Sequence, residues 1–186
     1  MGLYNLLAQP DRDFALRWHR DDIAPTVSAE EEEARLKAPI LHAQWNLALF
    51  DDESLIVLPG SHARSRTLEE RNAEPYEANL SGQKFVKMKA GDLVFYNNNI
   101  LHRGVYDAEK ERMTLHGSIG MVGTDKARAR NVLQHGIEEW VGRCDFQGLE
   151  GGFNGKRIGN VAEGMRMSLL EMGSGKDVGF SQIDDM

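Results

Sequence analysis

The chain has 186 residues, enough for one domain with a sizeable core. Its hydrophobic content of 41% and charged content of 27% are those of a globular protein, and a net charge of −7 argues against a nucleic-acid binder, because nothing repays phosphate repulsion. No apolar run is long enough to span a bilayer, and the single cysteine, Cys144, excludes an internal disulfide and points to a reducing, cytoplasmic compartment.

The opening stretch MGLYNLLAQPDRDF lacks the charged-then-apolar order of a signal peptide. MGLYNL also lacks the hydroxyl residue of a myristoylation signal, and the final IDDM is not a peroxisomal tripeptide. In chain order, β-branched and aromatic runs predict strands at 4–8 (YNLLA), 14–19 (FALRWH), 41–50 (LHAQWNLALF) and 54–58 (SLIVL). Further strands are expected at 84–89 (KFVKMK), 92–97 (DLVFYN), 101–106 (LHRGVY) and 112–121 (RMTLHGSIGM), with Asp-Asp, Pro-Gly, Ala-Gly and Asn-Asn as punctuation. Between the second and third strands, SAEEEEARLKAP predicts a helix with a Ser28–Glu31 capping box, a stop at Pro39 and a solvated acidic face. Eight strands with one helical interruption predict a mainly β protein, an antiparallel double sheet of the jelly-roll type.

The end of the chain changes character. Leu133, Ile137, Trp140, Val141 and Cys144 recur at helical spacing within 126–144, and Ile158, Val161, Met165, Leu169 and Met172 do so within 157–172, with Gly173 as a stop. The expected organisation is a double-sheet core over 1–125 and a helical extension over 126–186 packed on it, one domain overall. The connecting DFQGLEGGFNGK lacks the Lys-Ser/Thr of a phosphate loop and reads as a linker.

Chemistry concentrates in RWHRDD. Residues two apart on a strand project from the same face, so His19 and Asp21 point together, about 7 Å apart along the chain. They form either a hydrogen-bonded pair or two arms of a metal site; imidazole with carboxylate suits ferrous iron, and one more histidine would complete a facial triad. AGDLVFYNNNILHRGVYD places His102 at the start of an apolar strand, and Arg112 heads the next one. A buried arginine demands an anionic partner, and its planar fork suits a carboxylate. Thr114 points the same way and has a hydroxyl to donate.

WHRDD, SLIVLPGSH, AGDLVFYNNNILHRG and ERMTLHG, in this order over residues 14–121, resemble the phytanoyl-CoA dioxygenase family of Fe(II)/2-oxoglutarate-dependent oxygenases. The resemblance implies a double-stranded β-helix, the cupin-like jelly roll. Its second and seventh strands are neighbours, which brings His102 beside His19 and Asp21 as ligands of Fe(II). It further implies that Arg112, with Thr114, binds the far carboxylate of 2-oxoglutarate, that Trp45 lines that pocket, and that O2 is the oxidant. The implied product is a hydroxylated small organic molecule, with release of succinate and CO2. Asp21 stands where halogenating relatives leave a place for chloride, which favours hydroxylation.

Three departures stand out. Only 18 residues precede His19, where the family usually has further elements, so a short or truncated member is expected and the family's upstream lysine has no counterpart. Gly104 takes the place of a hydroxyl residue two beyond the distal histidine. The acyl-CoA substrate is not implied. Exposure of the larger sheet by missing layers would make a homodimer one remedy, and an impaired, non-catalytic metal- or ligand-binding jelly roll the alternative function; a zinc cupin-like isomerase is a third. Among the other residues, His62 and Asn97–Asn99 read as turn chemistry. His116 reads as a core or pocket residue, His42 is undecided, and His135 reads as surface. Arg20 and Arg103, alternating away from the ligands, are expected at solvent or a substrate-entry rim. The inward face of strand 41–50 is open between Trp45 and its neighbours Gln44 and Asn46.

Overall fold

Each of the eight expected strands forms, most of them trimmed at the ends. A computed structural model describes residues 4–39, 42–120, 140–146 and 155–172. In it the strands are β1 (Tyr4–Ala8), β2 (Phe14–Ala15), β3 (His42–Ala48), β4 (Leu55–Val57), β5 (Lys84–Phe85), β6 (Leu93–Asn97), β7 (His102–Tyr106) and β8 (Met113–Gly120). Among the described residues the helices with both ends defined are α1 (Ala29–Lys37), α2 (Leu68–Asn72) and α3 (Gly155–Met172), with a 3-10 turn at Ser61–Ala63. The strands form two antiparallel four-stranded sheets, a larger one in the order β1-β8-β3-β6 and a smaller one in the order β2-β7-β4-β5. This is the jelly-roll arrangement.

The expected strand at 14–19 shortens to Phe14–Ala15 because the chain next serves other partners. The Trp18 amide donates to the Pro75 carbonyl at 2.8 Å, and strand pairing resumes only as a single bridge between His19 and His102. The 84–89 strand is cut in the same way, with Met88 bridging to Asp52 instead.

Among the described residues, an apolar cluster lies on the outer face of the smaller sheet. Trp18, Ile56, Leu58, Leu80 and Leu101 are buried together, with Ala73 packed against them. The 63–83 connection supplies the lid. It contains α2, started by a complete capping box in which Thr67 and Glu70 bond each other's backbone amides. The Trp18 indole donates to the Glu77 carbonyl at 2.8 Å. Arg103 donates to the Tyr76 and Glu77 carbonyls at 2.7 and 2.8 Å and lies 5.9 Å from the Trp18 ring. Arg103 is therefore buried, not at solvent: the face opposite the ligands is covered by a connection that carries its hydrogen-bond acceptors.

The larger sheet is polarised the other way. No Asp, Glu, Lys or Arg occurs in β1, β3, β6 or β8. Leu6, Leu115, Leu47 and Leu93 form one row in register across all four strands, on the outer face, and Leu6, Leu93, Phe95 and Ile119 are exposed. Gln44, Asn46, Tyr96, Thr114 and His116 line the inner face.

α1 begins as predicted, with the Ser28 hydroxyl accepting from the Glu31 amide at 3.1 Å. The reciprocal bond of a capping box is replaced, since the Glu31 carboxylate pairs with Arg35 at 2.5 Å. Glu30, Glu31 and Glu33 are exposed, but Glu32 is fully buried, so the acidic run is not uniformly solvated. α3 confirms the expected helix at 157–172. The 126–144 helix, apart from residues 140–144, the 125/126 boundary and Gly173 all lie outside the described residues.

Candidate metal centre

The bridge between His19 and His102, with amide-to-carbonyl distances of 3.1 Å in both directions, sets two imidazoles side by side with ring centroids 4.3 Å apart. Asp21, two residues on from His19, projects to the same place. One donor atom from each of His19, Asp21 and His102 lies within 4.8 Å of the others. The triad expected from the sequence is therefore assembled in space.

Hydrogen bonds orient each of the three side chains. His19 Nδ1 lies 2.7 Å from the Arg17 carbonyl and His102 Nδ1 2.8 Å from the Ile100 carbonyl. A carbonyl only accepts, so each Nδ1 carries the proton and each Nε2 presents its lone pair. Both Nε2 atoms face Asp21 Oδ1, at 3.6 and 3.8 Å. Burial, then the neighbouring His102, pulls the His19 pKa well below its usual value. Burial, with the Arg20 charge, lowers that of His102 to about 4. Two neutral imidazoles around a carboxylate are a donor set that fits a divalent transition metal, with three donors leaving further positions open.

The other Asp21 oxygen accepts from Gln44 Nε2, whose Oε1 accepts from the Tyr96 hydroxyl at 2.9 Å. Burial, then the Asp21 charge, raises the Tyr96 pKa well above normal, so it stays a phenol and a donor. This relay decides the inward face of β3. Gln44 and Asn46 face the site, and Trp45 alternates to the outer face, in register with Phe95 and Gly117. The expected placing of Trp45 in the cosubstrate pocket is thus corrected by strand alternation. His116 is half-buried on the same inner face, its Nδ1 lying 2.6 Å from Asn46 Oδ1. His62 lies in the 3-10 turn, while the His42 side chain and His135 lie outside the described residues.

Arg20, between the two ligands, is fully buried, not at a rim. Its Nε donates to Glu32 at 2.8 Å, its Nη1 to the Ser61 carbonyl at 2.9 Å and to the Asn99 carbonyl, and its Nη2 to the Arg64 carbonyl at 2.9 Å. The alternation away from the ligands is as read, but α1 and the LPGSH turn occupy that side. Gly60 of that turn has φ +82°, the left-handed conformation that favours glycine. The Asn-rich turn is likewise more than punctuation. The Asn98 carbonyl accepts from the Asp21 amide at 3.2 Å, and its side-chain amide bonds Asp22.

Arg112 is 7% exposed and heads β8 with Thr114, which is 1% exposed. Its Nη2 donates to the Thr114 hydroxyl at 3.1 Å, and its Nη1 to the Ala8 carbonyl at 3.4 Å. The anion its burial demands is present in the chain: Asp52 lies 3.5 Å from Nε and 3.3 Å from Nη2. Sequence patterning read Asp52 as turn punctuation, and Ser54, two residues on, does donate its amide and hydroxyl to the same carboxylate.

No protein-family model and no curated protein matches the chain. It resembles several solved structures. AviO1 from Streptomyces viridochromogenes Tue57 is 22% identical over 66% of this chain and 51% of that one, with a TM-score of 0.46. HygX from Streptomyces hygroscopicus, with nickel, 2-oxoglutarate and hygromycin B bound, is 15% identical over 63% and 57%, with a TM-score of 0.47. The non-heme monooxygenase ThoJ, as its nickel complex, is 18% identical over 66% and 46%, with a TM-score of 0.40. The chain thus spans about half the length of these proteins.

Proposed function

We propose that the chain is a non-haem Fe(II)/2-oxoglutarate-dependent oxygenase of the phytanoyl-CoA dioxygenase type. It would hydroxylate a small organic molecule and release succinate and CO2. The observation that carries this reading is the convergence of one donor atom from each of His19, Asp21 and His102 within 4.8 Å, with both Nε2 atoms facing Asp21 Oδ1 and each side chain held by its own hydrogen bond. Bound iron supplies the Lewis-acid and redox chemistry with O2. The protein's own contributions are positional. His19, Asp21 and His102 would hold the ion, and three donors would leave room for a chelating 2-oxo acid. Gln44 and Tyr96 keep one Asp21 oxygen engaged, so that the other is presented to the metal. Arg112 and Thr114 take the far carboxylate of the diacid.

The test is anaerobic addition of Fe(II) and 2-oxoglutarate. A visible charge-transfer band, lost in His102→Ala, with succinate released in air, supports the proposal; absence of metal binding overturns it. The Asp52–Arg112 pair favours a second reading, because an arginine already neutralised binds a diacid less strongly. In that reading the protein is a non-catalytic jelly roll, and metal binds without any succinate release.

A further inference from the structure

His102, Gly104 and Tyr106 project from one face of β7, toward the site. Gly104 is buried, and its φ is not among the positive ones, so its backbone does not require glycine. The space around it does. A Cβ at Gly104 would lie 2.5 Å from Tyr106 Cζ and 2.8 Å from Tyr106 Cε2, with the hydroxyl nearer still. The Tyr106 side chain therefore leans back along β7 toward His102 and fills the volume of a side chain at 104.

Two neighbours hold the ring there. Phe14, its cross-strand partner on β2, stacks on it at 5.7 Å with planes 7° apart. The Arg112 guanidinium lies 4.6 Å from the ring centroid. The hydroxyl end thus lies over Gly104, two residues from a metal-centre histidine, while the ring touches the arginine proposed to anchor the diacid. Burial raises its pKa above normal, so it is a donor at neutral pH. Among the described residues its hydroxyl makes no hydrogen bond.

We propose that the Tyr106 hydroxyl is a third donor of the carboxylate subsite, beside Arg112 and Thr114, and that Gly104 is glycine because the phenol occupies its side-chain volume. This rests on the reading of Arg112 as a diacid anchor. A neutral donor matters here because Asp52 already offsets the arginine's charge. A phenol-to-carboxylate bond is charge-assisted and adds binding without another cation.

The experiment titrates succinate into the metal-free protein by calorimetry. Succinate has two carboxylates and no keto group, so the reading is independent of the metal. Tyr106→Phe keeps the ring and its stacking and is expected to weaken succinate roughly tenfold or more. Gly104→Ser is expected to lower the melting temperature in the wild-type background, where its Cβ meets the phenol. In a Tyr106→Ala background it is tolerated and restores part of the lost affinity through its own hydroxyl. Unchanged affinity in Tyr106→Phe, or the same effect of Gly104→Ser in both backgrounds, overturns the proposal while leaving the diacid site standing. No succinate binding by the wild type overturns both.

Discussion

Replacing Glu32 by alanine is expected to destabilise the fold and weaken metal binding at the proposed site together, although Glu32 bonds to none of His19, Asp21 and His102. Its carboxylate accepts from Arg20 Nε at 2.8 Å, the Arg66 amide at 2.8 Å, Arg66 Nη1 at 2.7 Å and Arg71 Nη2 at 2.5 Å. Truncation leaves three guanidiniums facing one another without their anion. Burial already lowers the Arg66 pKa to about 10. Removing one partner from a buried ion pair costs about 3–5 kcal/mol. At roughly 2–4 °C per kcal/mol for a chain of this size, melting should fall by about 10 °C. Because Arg20 is the residue between His19 and Asp21, its loosening also spreads the ligands, and metal affinity should fall.

The pH dependence carries a second signature. Burial works to raise the Glu32 pKa, but bonds from Arg66 and Arg20 outweigh it and hold it below 4.5. The unfolded chain therefore takes up a proton first as pH falls. The stabilisation is fully present above pH 4.5 and is lost as pH drops through the lower folded value. Glu32→Gln, which keeps one acceptor oxygen, should melt between wild type and Glu32→Ala and show a shallower acid limb. Thermal unfolding by circular dichroism across pH, with Co(II) titration of each variant, measures both effects. Glu32→Ala melting within about 2 °C of wild type, less than the shift expected for 1 kcal/mol, would refute the reasoning.

Gln44→Ala removes the amide bond to Asp21 and should weaken metal binding about 10- to 100-fold, read by competition with a chromogenic chelator, with little change in melting. Arg112→Met leaves Asp52 buried without its cation; a loss of about 3 kcal/mol or more in urea unfolding is expected, along with loss of succinate binding. Asp52→Asn removes the competing charge at Arg112 and should tighten succinate, as measured by calorimetry. Ser28→Ala removes the α1 cap and should cost about 1 kcal/mol in thermal unfolding without changing metal affinity.

The strands were legible because β-branched and aromatic runs between turn residues report local backbone preference, and that preference is local in sequence. His19 with Asp21 was legible for the same reason, since a period of two puts both on one face whatever the strand pairs with. The carry-over of His102 needed the strand order, which the family resemblance implied and the β2–β7 pairing bears out. What alternation could not say is what lies on each face. Arg20 and Arg103 do alternate away from the ligands, yet α1 and the 63–83 connection cover that side, so both are buried. Trp45 and Gln44 are adjacent, and only the register of β3 against β8 and β6 shows that Gln44 faces Asp21.

The sequence by itself determined the strand set, the same-face pairing of two metal-ligand candidates and the start of α1. Tertiary structure alone decided the partners: Asp52 for Arg112, Glu32 for Arg20, Tyr106 over Gly104. The reason is physical. A strand's period acts between nearest neighbours, whereas the partner of a buried charge or hydroxyl is set by which distant strands and loops meet once two sheets have closed on each other.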